Sequence, residues 1–398
     1  MTLEDASRWL SDWRFLALAG GLACIGLLLW RGRARRGERA TEEGAGAYNS
    51  TDRFFHEFAF SGPAMLRGLA RVDDTLHGSA IEAMPPPRPV FITSLARAGT
   101  TALLNAFDAI PSTAMHRYRH MPFLAAPMLW RQMNAYGNRQ VARRERAHGD
   151  GLEIDLDTPE AFDEVFWQLH WPHHYDEAGI RLWGEGDFNE EASAFFDRHL
   201  RKIALIDGGG DRTARYCSKN NANIARLALL PRMFPEGEII VPLRRPGPHA
   251  ASLHRQHRNF LEQHRHDAFT KRYMRDIGHL EFGELHRPLR FPGMDAGVPH
   301  GPDHADYWLH YWIATFSAVR EHATRCHFVL QDDLRAAPES TMGALCEAIA
   351  LPLAGTAVRQ YFRDTPDAEP VDPFDPALKA QADALYEQLA SFSILKSA

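Results

Sequence analysis

The stretch Pro89–Leu104, PVFITSLARAGTTALL, decides the fold of this chain. Its first residues are β-branched and aromatic, which is typical of a buried strand in a parallel sheet. From Thr100 to Phe107 the apolar residues follow helical spacing. Between strand and helix lies SLARAGTT, residues 94–101, a turn of small residues with one arginine and two threonines. Backbone amides at such a turn, together with the positive end of the following helix, bind phosphate or sulfate.

The alternation of strand and helix continues further along the chain. The sequence predicts a helix over 195–206, a strand over 214–217, a very apolar strand over 238–243 followed by a helix, a strand over 327–331, and a helix over 338–350. Strands that alternate with helices imply right-handed crossovers and a parallel sheet. We therefore predict an α/β fold, with a central parallel sheet flanked by helices and a P-loop-like strand, loop and helix.

The N-terminal part has a different character. After the N-terminal segment 1–14, Phe15–Trp30 is an uncharged apolar run, and arginines flank it on both sides. As a helix the run would cover about 24 Å, against roughly 30 Å for a hydrocarbon core. Acidic residues precede the run and the arginine cluster follows it, which is the reverse of a signal peptide. We predict a single-pass transmembrane anchor, with the catalytic domain facing the cytoplasm by the positive-inside rule.

The remaining chain divides by composition. Residues 31–50, rich in Gly, Ala, Arg and Glu, are predicted to be a flexible linker, and residues 51–88 a helical lead-in. The catalytic domain is expected to span 89–398, with a helical insertion over about 123–200. Within it, residues 267–292 are interpreted as a segment that covers the site.

Composition and cysteine spacing exclude several functions. The formal net charge of −6 gives no basis for binding a polyanion, so nucleic acid is not an expected partner. The four cysteines lie far apart without a CxxC pair, which indicates neither a zinc site nor a disulfide framework. No metal is expected.

Two pairs of cation and hydroxyl are the candidate binding residues. Arg97 precedes Thr100 and Thr101, and Arg244 precedes Ser252 by eight positions. Each pair follows a predicted parallel strand, and the carboxyl ends of such strands are where open α/β sheets bind ligands. An arginine fork and a short hydroxyl can converge on one phosphate. Two such sites predict a ligand with two separated phosphates.

These motifs resemble those of the sulfotransferases that use 3′-phosphoadenosine 5′-phosphosulfate (PAPS). The loop R-S-G-T-[TS] of that family is matched by Arg97, Ala98, Gly99, Thr100 and Thr101, with alanine in place of serine. The 3′-phosphate motif, R-x-P with a serine eight residues after the arginine, is matched by Arg244, Pro246 and Ser252. Lys219 and Asn220 are similar to the K-x-P approach of bacterial members, although Asn221 stands where proline is common. Gln331–Leu334 is similar to a late Y-E-D-L.

The resemblance implies in-line transfer of a sulfuryl group from PAPS to a hydroxyl or amine acceptor. Arg97 would stabilise the charge that develops during transfer, the loop 97–101 would bind the 5′-phosphate, and Arg244, Ser252 and Lys219 would complete the donor site. Many relatives carry a general base after the first helix, and here His120 and His116 are the candidates. The acceptor is not defined by the sequence, and a carbohydrate or a lipid-linked glycan suits a membrane tether. The tryptophans between Trp167 and Trp183 could form an acceptor wall or pack in the core.

Two alternatives stay open on the sequence. A P-loop kinase or NTPase shares the strand, loop and helix, but it would carry a lysine before the Ser/Thr of the loop, and this loop has none. A non-catalytic membrane scaffold of the same fold is the other alternative, because no carboxylate stands where relatives place their base.

Overall fold

The computed structural model describes residues 50–135, 144–145, 153–154, 156–294, 298–362 and 373–396. The described residues divide into two compact units, one that includes 50–78 and 120–135, the other 79–119 and the described residues from 145 onwards. The lead-in over 51–88 and the domain over 89–398 stay predictions.

A five-stranded sheet forms the centre of the larger unit. Its strands are β1 (Val90–Ile92), β2 (Thr113–Ala114), β7 (Arg215–Lys219), β8 (Glu238–Leu243) and β9 (His327–Leu330). The order is β2-β7-β1-β8-β9, and every described pair is parallel. The first strand therefore occupies the middle of the sheet, with Ile92 paired to Lys219 on one side and to Ile240 on the other. The predicted central parallel sheet is confirmed.

The other strands are short: β3 (Arg144–Glu145), β4 (Glu153–Ile154), β5 (Tyr175–Asp176) and β6 (Gly179–Ile180). The helices of the described residues are α1 (Ser50–Ala59), α2 (Pro63–Glu82), α3 (Thr100–Asp108), α4 (Pro127–Ala135), α5 (Glu164–His170), α6 (Glu190–Asp207), α7 (Leu230–Met233), α8 (Pro246–His266), α9 (Ala268–Asp276), α10 (Ala305–Arg320), α11 (Gln331–Ala336), α12 (Pro338–Ala348) and α13 (Pro376–Ala390).

The core between the sheet and α3 explains why the first helix forms where it does. Leu103 and Leu104 lie four and three positions before Phe107 on one helix face, and all three are buried together with Val90 and Ile92 of β1. Removing this much apolar surface from water is the main force that holds α3 against the sheet. The start of α3, and with it the turn before it, is thereby held at the carboxyl end of β1.

The smaller unit has its own aromatic core. Phe123 contacts Phe55 with ring centroids 6.2 Å apart and Trp130 with centroids 4.7 Å apart. The buried carboxylate of Asp73 in α2 accepts a hydrogen bond of 2.7 Å from the backbone amide of Leu129, in the first turn of α4. That bond satisfies one of the amides that a helix start leaves without an intrahelical partner.

Element boundaries show where local signals were missed. The strand predicted over 238–243 has those limits, whereas β7 extends to Lys219. Helix α6 begins at Glu190 rather than at 195, because the side chain of Asn189 accepts a hydrogen bond from the amide of Ala192 and caps the helix. The region predicted as a helical insertion holds α4, α5 and most of α6, but also the strands β3 to β6.

The predicted anchor Phe15–Trp30 and the linker 31–50 lie outside the described residues, apart from Ser50. Within the part of the chain that the structure describes, no helix has both the length and the apolar character needed to cross a membrane.

Candidate active site

The turn between β1 and α3 is held in an unusual backbone conformation. Arg97 has a φ of 70° and Gly99 a φ of 90°. A non-glycine residue in this left-handed region costs about 1–2 kcal/mol, so neighbouring contacts must hold it. Those contacts come from the end of β8 and from α8, since Arg244 Nη1 donates to the carbonyl of Arg97 at 3.0 Å and His249 Nε2 donates to the carbonyl of Ala96 at 2.8 Å.

His249 acts as a neutral link in this arrangement. Burial and the charge of Arg244 lower the pKa of His249 to about 3. Its Nδ1 accepts a hydrogen bond of 3.2 Å from Trp312 Nε1, so the proton of the neutral ring lies on Nε2, facing Ala96. The turn is thus tied to the first helical turns of α8.

The two anion-binding motifs meet at one place. Arg97 Nε lies 3.4 Å from Ser252 Oγ, although the two residues are 155 positions apart in the chain. Arg244 and Ser252 are both buried, and Arg97 is half-buried. The structure therefore brings Arg97, Arg244 and Ser252 together, beside the carboxyl ends of β1 and β8. Their donor-binding roles stay predictions.

The remaining loop residues surround this point. Thr100 is buried at the start of α3, Thr101 is half-buried, and Ala98 is fully buried. A side chain at Gly99 would place its Cβ 3.4 Å from the side-chain nitrogen Nε2 of Gln331, the residue that directly follows β9. The turn therefore reaches towards the end of β9 as well.

Lys219 approaches from the other side of the turn, at the end of β7. Its Nζ lies 3.8 Å from the Oε1 of Glu160, and both side chains are buried. Glu160 also accepts a hydrogen bond of 2.7 Å from the hydroxyl of Tyr118. Three of the predicted cations, Arg97, Lys219 and Arg244, thus lie at the ends of adjacent strands.

A pocket opens next to the turn. The segment 279–282 forms one wall, Trp308 and Tyr311 of α10 another, and Leu95 and Ala96 of the turn a third; Lys219, Asn220, Asn221, Glu164 and Leu253 also line it. The segment 267–292, interpreted from sequence as a cover, therefore does border the site. Trp308 and Tyr311 are buried residues of α10 that also line this pocket.

The structure gives the two candidate histidines other surroundings. His116 is buried, its ring stacks on His199 with centroids 5.0 Å apart, and the two Nε2 atoms are 2.8 Å from each other. His120 is buried at the end of a short helical turn, Tyr118–His120, and belongs to the smaller unit. Among the described residues, those that line the pocket include neither of them. Their role as the base stays a prediction.

Two carboxylates in the pocket were missed by the sequence interpretation. Glu164 lies in the acidic stretch DTPEAFDEVFW, and Glu281 lies in the segment 267–292, which the sequence predicts only as a cover. No local pattern marks either residue, because each reaches the site through a fold contact with strand ends far away in sequence. The pairing of Glu160 or Glu164 with a distant cation could only have been recognised from the structure.

The tryptophans around Glu164 are core residues and not an acceptor wall. Trp167, Trp171 and Trp183 are buried, and the guanidinium of Arg226 lies between the rings of Trp167 and Trp183, 4.3 and 4.1 Å from their centroids. Arg226 in turn holds both oxygens of Glu164, at 2.7 and 2.9 Å. Arg226 and the tryptophans thus hold Glu164 in place where it lines the pocket.

Two groups of possible metal ligands exist in the described part of the chain. They are His173, His174 and Asp187, and His300, His304 and Asp306, each with ligand atoms within 4.8 Å of one another. Neither group includes a residue of the site described above.

Fold and site together define an α/β protein in which Arg97, Lys219 and Arg244 gather at the carboxyl ends of adjacent parallel strands. The chain belongs to the sulfotransferase family, whose sequence pattern matches residues 89–291, just over half of the chain. Because the chain belongs to this family, the alternative of a P-loop kinase or NTPase is set aside. No curated protein is significantly similar in sequence.

Three solved structures of bacterial sulfotransferases are similar to this chain. A Mycobacterium tuberculosis sulfotransferase is 16% identical with a TM-score of 0.46, over 87% of this chain and 88% of that one. A Mycobacterium avium sulfotransferase is 14% identical with a TM-score of 0.44, over 87% and 85%. An Alicyclobacillus acidocaldarius sulfotransferase is 12% identical with a TM-score of 0.38, over 77% and 94%.

Proposed function

We propose that this protein transfers a sulfuryl group from PAPS to a hydroxyl or amine acceptor. The proposal rests on the convergence of Arg97, Arg244 and Ser252. These residues belong to two motifs, and Arg97 and Ser252 are 155 positions apart in the chain. A bis-phosphorylated nucleotide needs two anion sites on one face, and two arginines with adjoining hydroxyls supply charge-assisted donors for them. Membership of the sulfotransferase family supports the sulfuryl group as the part that is transferred.

In this proposal each residue has a physical task. The amides of residues 98–101 and the start of α3 hold the 5′-phosphate, with Thr100 and Thr101 beside it. The guanidinium of Arg97 stabilises the charge that grows on the bridging oxygen as the sulfur–oxygen bond breaks. Arg244 and Ser252 hold the 3′-phosphate, and Lys219 adds a third cation from β7. Because the turn is already fixed by His249 and Arg244, little reorganisation accompanies transfer.

The test separates donor binding from transfer. Calorimetry with adenosine 3′,5′-bisphosphate should show binding that ATP does not match, and Arg97→Ala and Arg244→Ala should each weaken it. Radiolabelled PAPS should then label a component of membrane, polysaccharide or small-metabolite fractions. Binding without labelled product would favour a non-catalytic scaffold, and equal affinity for ATP would contradict the proposal.

The acceptor and the location form a second part of the proposal. The apolar run Phe15–Trp30 and the arginines after it support a tether that leaves the catalytic domain in the cytoplasm, where a carbohydrate or lipid-linked acceptor would be met at the membrane. Protection of the C-terminal domain from protease added outside intact cells is the expected result. Digestion under those conditions would contradict the orientation.

A further inference from the structure

We propose that Glu281 is the catalytic base of the transfer and that Asn221 positions it, an inference that rests on the function proposed above. The segment from Gly278 to Leu285 carries Glu281 into the pocket beside the turn. The acceptor hydroxyl must lose a proton as its oxygen attacks sulfur, so a carboxylate facing the pocket is the group to look for.

Glu164, the other carboxylate among the described pocket residues, is already fully engaged. Its two oxygens accept hydrogen bonds from both terminal nitrogens of Arg226, from Asn220 Nδ2 at 2.8 Å and from the hydroxyl of Tyr175 at 2.5 Å. Two carboxylate oxygens that already accept four hydrogen bonds from protein groups have no lone pair left for the hydroxyl of an acceptor. Its place is structural.

Glu281 has a different environment. Its side chain is half-buried and its Oε1 accepts one hydrogen bond, of 3.2 Å, from Asn221 Nδ2. Its backbone is fixed, because the carbonyl of Glu281 accepts a hydrogen bond of 2.6 Å from His286 Nδ1 and Gly283 turns the chain with a φ of 66°. A Cβ at Gly283 would lie 2.7 Å from His264, so the turn is closely packed. The carboxylate therefore projects from a rigid segment.

Asn221 connects the carboxylate of Glu281 to Thr100, at the end of the turn between β1 and α3. A carboxylate can only accept, so the amide nitrogen of Asn221 must face Glu281 and its oxygen must face Thr100, whose hydroxyl donates to it at 3.2 Å. Two hydrogen bonds thus span the distance from the first residue of α3 to Glu281. A proline, which is common at this position in the sulfotransferases that the motif resembles, could make neither bond. This chain therefore differs from the sulfotransferase motifs that it resembles in two ways: it has asparagine at position 221, and it has no carboxylate where relatives place their base after the first helix.

Glu281 takes the proton of the acceptor hydroxyl, the acceptor oxygen forms a bond to sulfur, and the bond between sulfur and the bridging oxygen of the 5′-phosphate breaks. The electron pair of that bond leaves with adenosine 3′,5′-bisphosphate. The products are a sulfate ester and a protonated Glu281, which returns its proton to solvent.

The decisive variant is Glu281→Gln, because glutamine keeps the hydrogen bond from Asn221 and removes only the basicity. Glu284→Gln is the matched control, since Glu284 lies on the same segment but is exposed and paired with Lys271. Turnover of radiolabelled PAPS is measured in the full-length protein with benzyl alcohol, with 4-nitrophenol, which is largely ionised at pH 8, and with water as acceptor. Affinity for adenosine 3′,5′-bisphosphate is measured on every variant.

Glu281→Gln should lower turnover with benzyl alcohol about 10²–10⁴-fold. The loss with 4-nitrophenol should be much smaller, because that acceptor is already deprotonated. Affinity for the bisphosphate should stay within about threefold of wild type, and Glu284→Gln should resemble wild type in both measurements. Asn221→Ala should lose part of the rate, and adding it to Glu281→Gln should cost little more, because the two residues act as one unit.

Equal losses with both acceptors, or a loss of less than about threefold, would overturn the assignment. A loss in His120→Ala without one in Glu281→Gln would return the role of base to His120. Failure of the wild-type protein to bind the bisphosphate would remove the proposed function itself and the base with it. Binding without turnover by any acceptor would leave the donor site standing and overturn the base.

Discussion

Replacing Arg226 by methionine should destabilise the larger unit strongly, because the arginine is the counter-ion of a buried carboxylate. Arg226 is fully buried and Glu164 is 3% exposed. Burial disfavours the charge of Arg226, yet Glu164 and the hydroxyl of Tyr175 together outweigh this effect and raise the pKa of the guanidinium. Methionine fills a similar volume but leaves the carboxylate without a cation.

The expected loss follows from the contacts. Breaking a buried ion pair by removing one partner costs about 3–5 kcal/mol, since the remaining charge loses its compensation. The two indole contacts, at 4.3 and 4.1 Å, add about 0.5–2 kcal/mol each. These terms overlap, so we expect a loss in the free energy of unfolding of about 4–6 kcal/mol. Arg226→Met with Glu164→Gln should recover part of it, because neither partner of the pair is then charged.

The assay is urea unfolding followed by tryptophan fluorescence, to which Trp167 and Trp183 contribute directly. Arg232→Met is the matched control, since Arg232 is exposed and its guanidinium lies 4.6 Å from the ring centroid of Phe188. It should cost no more than about 1 kcal/mol. If Arg226→Met lost no more than this control, the interpretation of Glu164 as a buried charge held by Arg226 would be refuted.

Three further predictions concern the turn and its supports. Arg244→Ala should weaken binding of adenosine 3′,5′-bisphosphate about 10–100-fold, as expected for charge-assisted hydrogen bonds of about 1.5–3 kcal/mol, and unchanged affinity in calorimetry would exclude a phosphate contact. Gly99→Ala should cost about 1–2 kcal/mol in thermal unfolding because of the φ of 90°, and no change would mean that the turn relaxes freely. Because the pKa of His249 is about 3 in the folded protein, against 6.5 ordinarily, the unfolded chain binds the extra proton. Its contribution to the free energy of unfolding should therefore fall by about 1.4 kcal/mol per pH unit as pH drops from 6.5 towards 3, and His249→Gln should flatten that slope in urea titrations.

The sequence predicted best those features that depend on neighbouring residues. The apolar run before Leu243 and the spacing of Leu103 and Phe107 each describe one strand or one helix face, so the parallel sheet and the first helix could be predicted. The meeting of Arg97 with Ser252 was also predictable, because both follow strands that must end at the same edge of a parallel sheet.

The pocket could not be predicted in the same way. Glu281 enters it from a segment without regular structure, and its one side-chain partner, Asn221, lies 60 positions earlier in the chain. Order along the chain pointed instead to His116, which the structure shows packed against His199. Trp167 and Trp183 were ambiguous for a related reason. A tryptophan in the sequence does not show whether its ring faces a ligand or a buried guanidinium.

The central place of β1 in the sheet has a consequence for how the protein matures. The turn is synthesised first, but Arg244 follows Arg97 by 147 positions, so no shorter length of chain can bring the two arginines of the proposed donor site together. Binding of the proposed donor would therefore require that β1, β7 and β8 have assembled, and it should protect these three strands against hydrogen exchange together. At a donor concentration one hundred times its dissociation constant, this linkage adds about 2.7 kcal/mol, so the supply of donor nucleotide in the cell would also govern how long each molecule survives proteolysis.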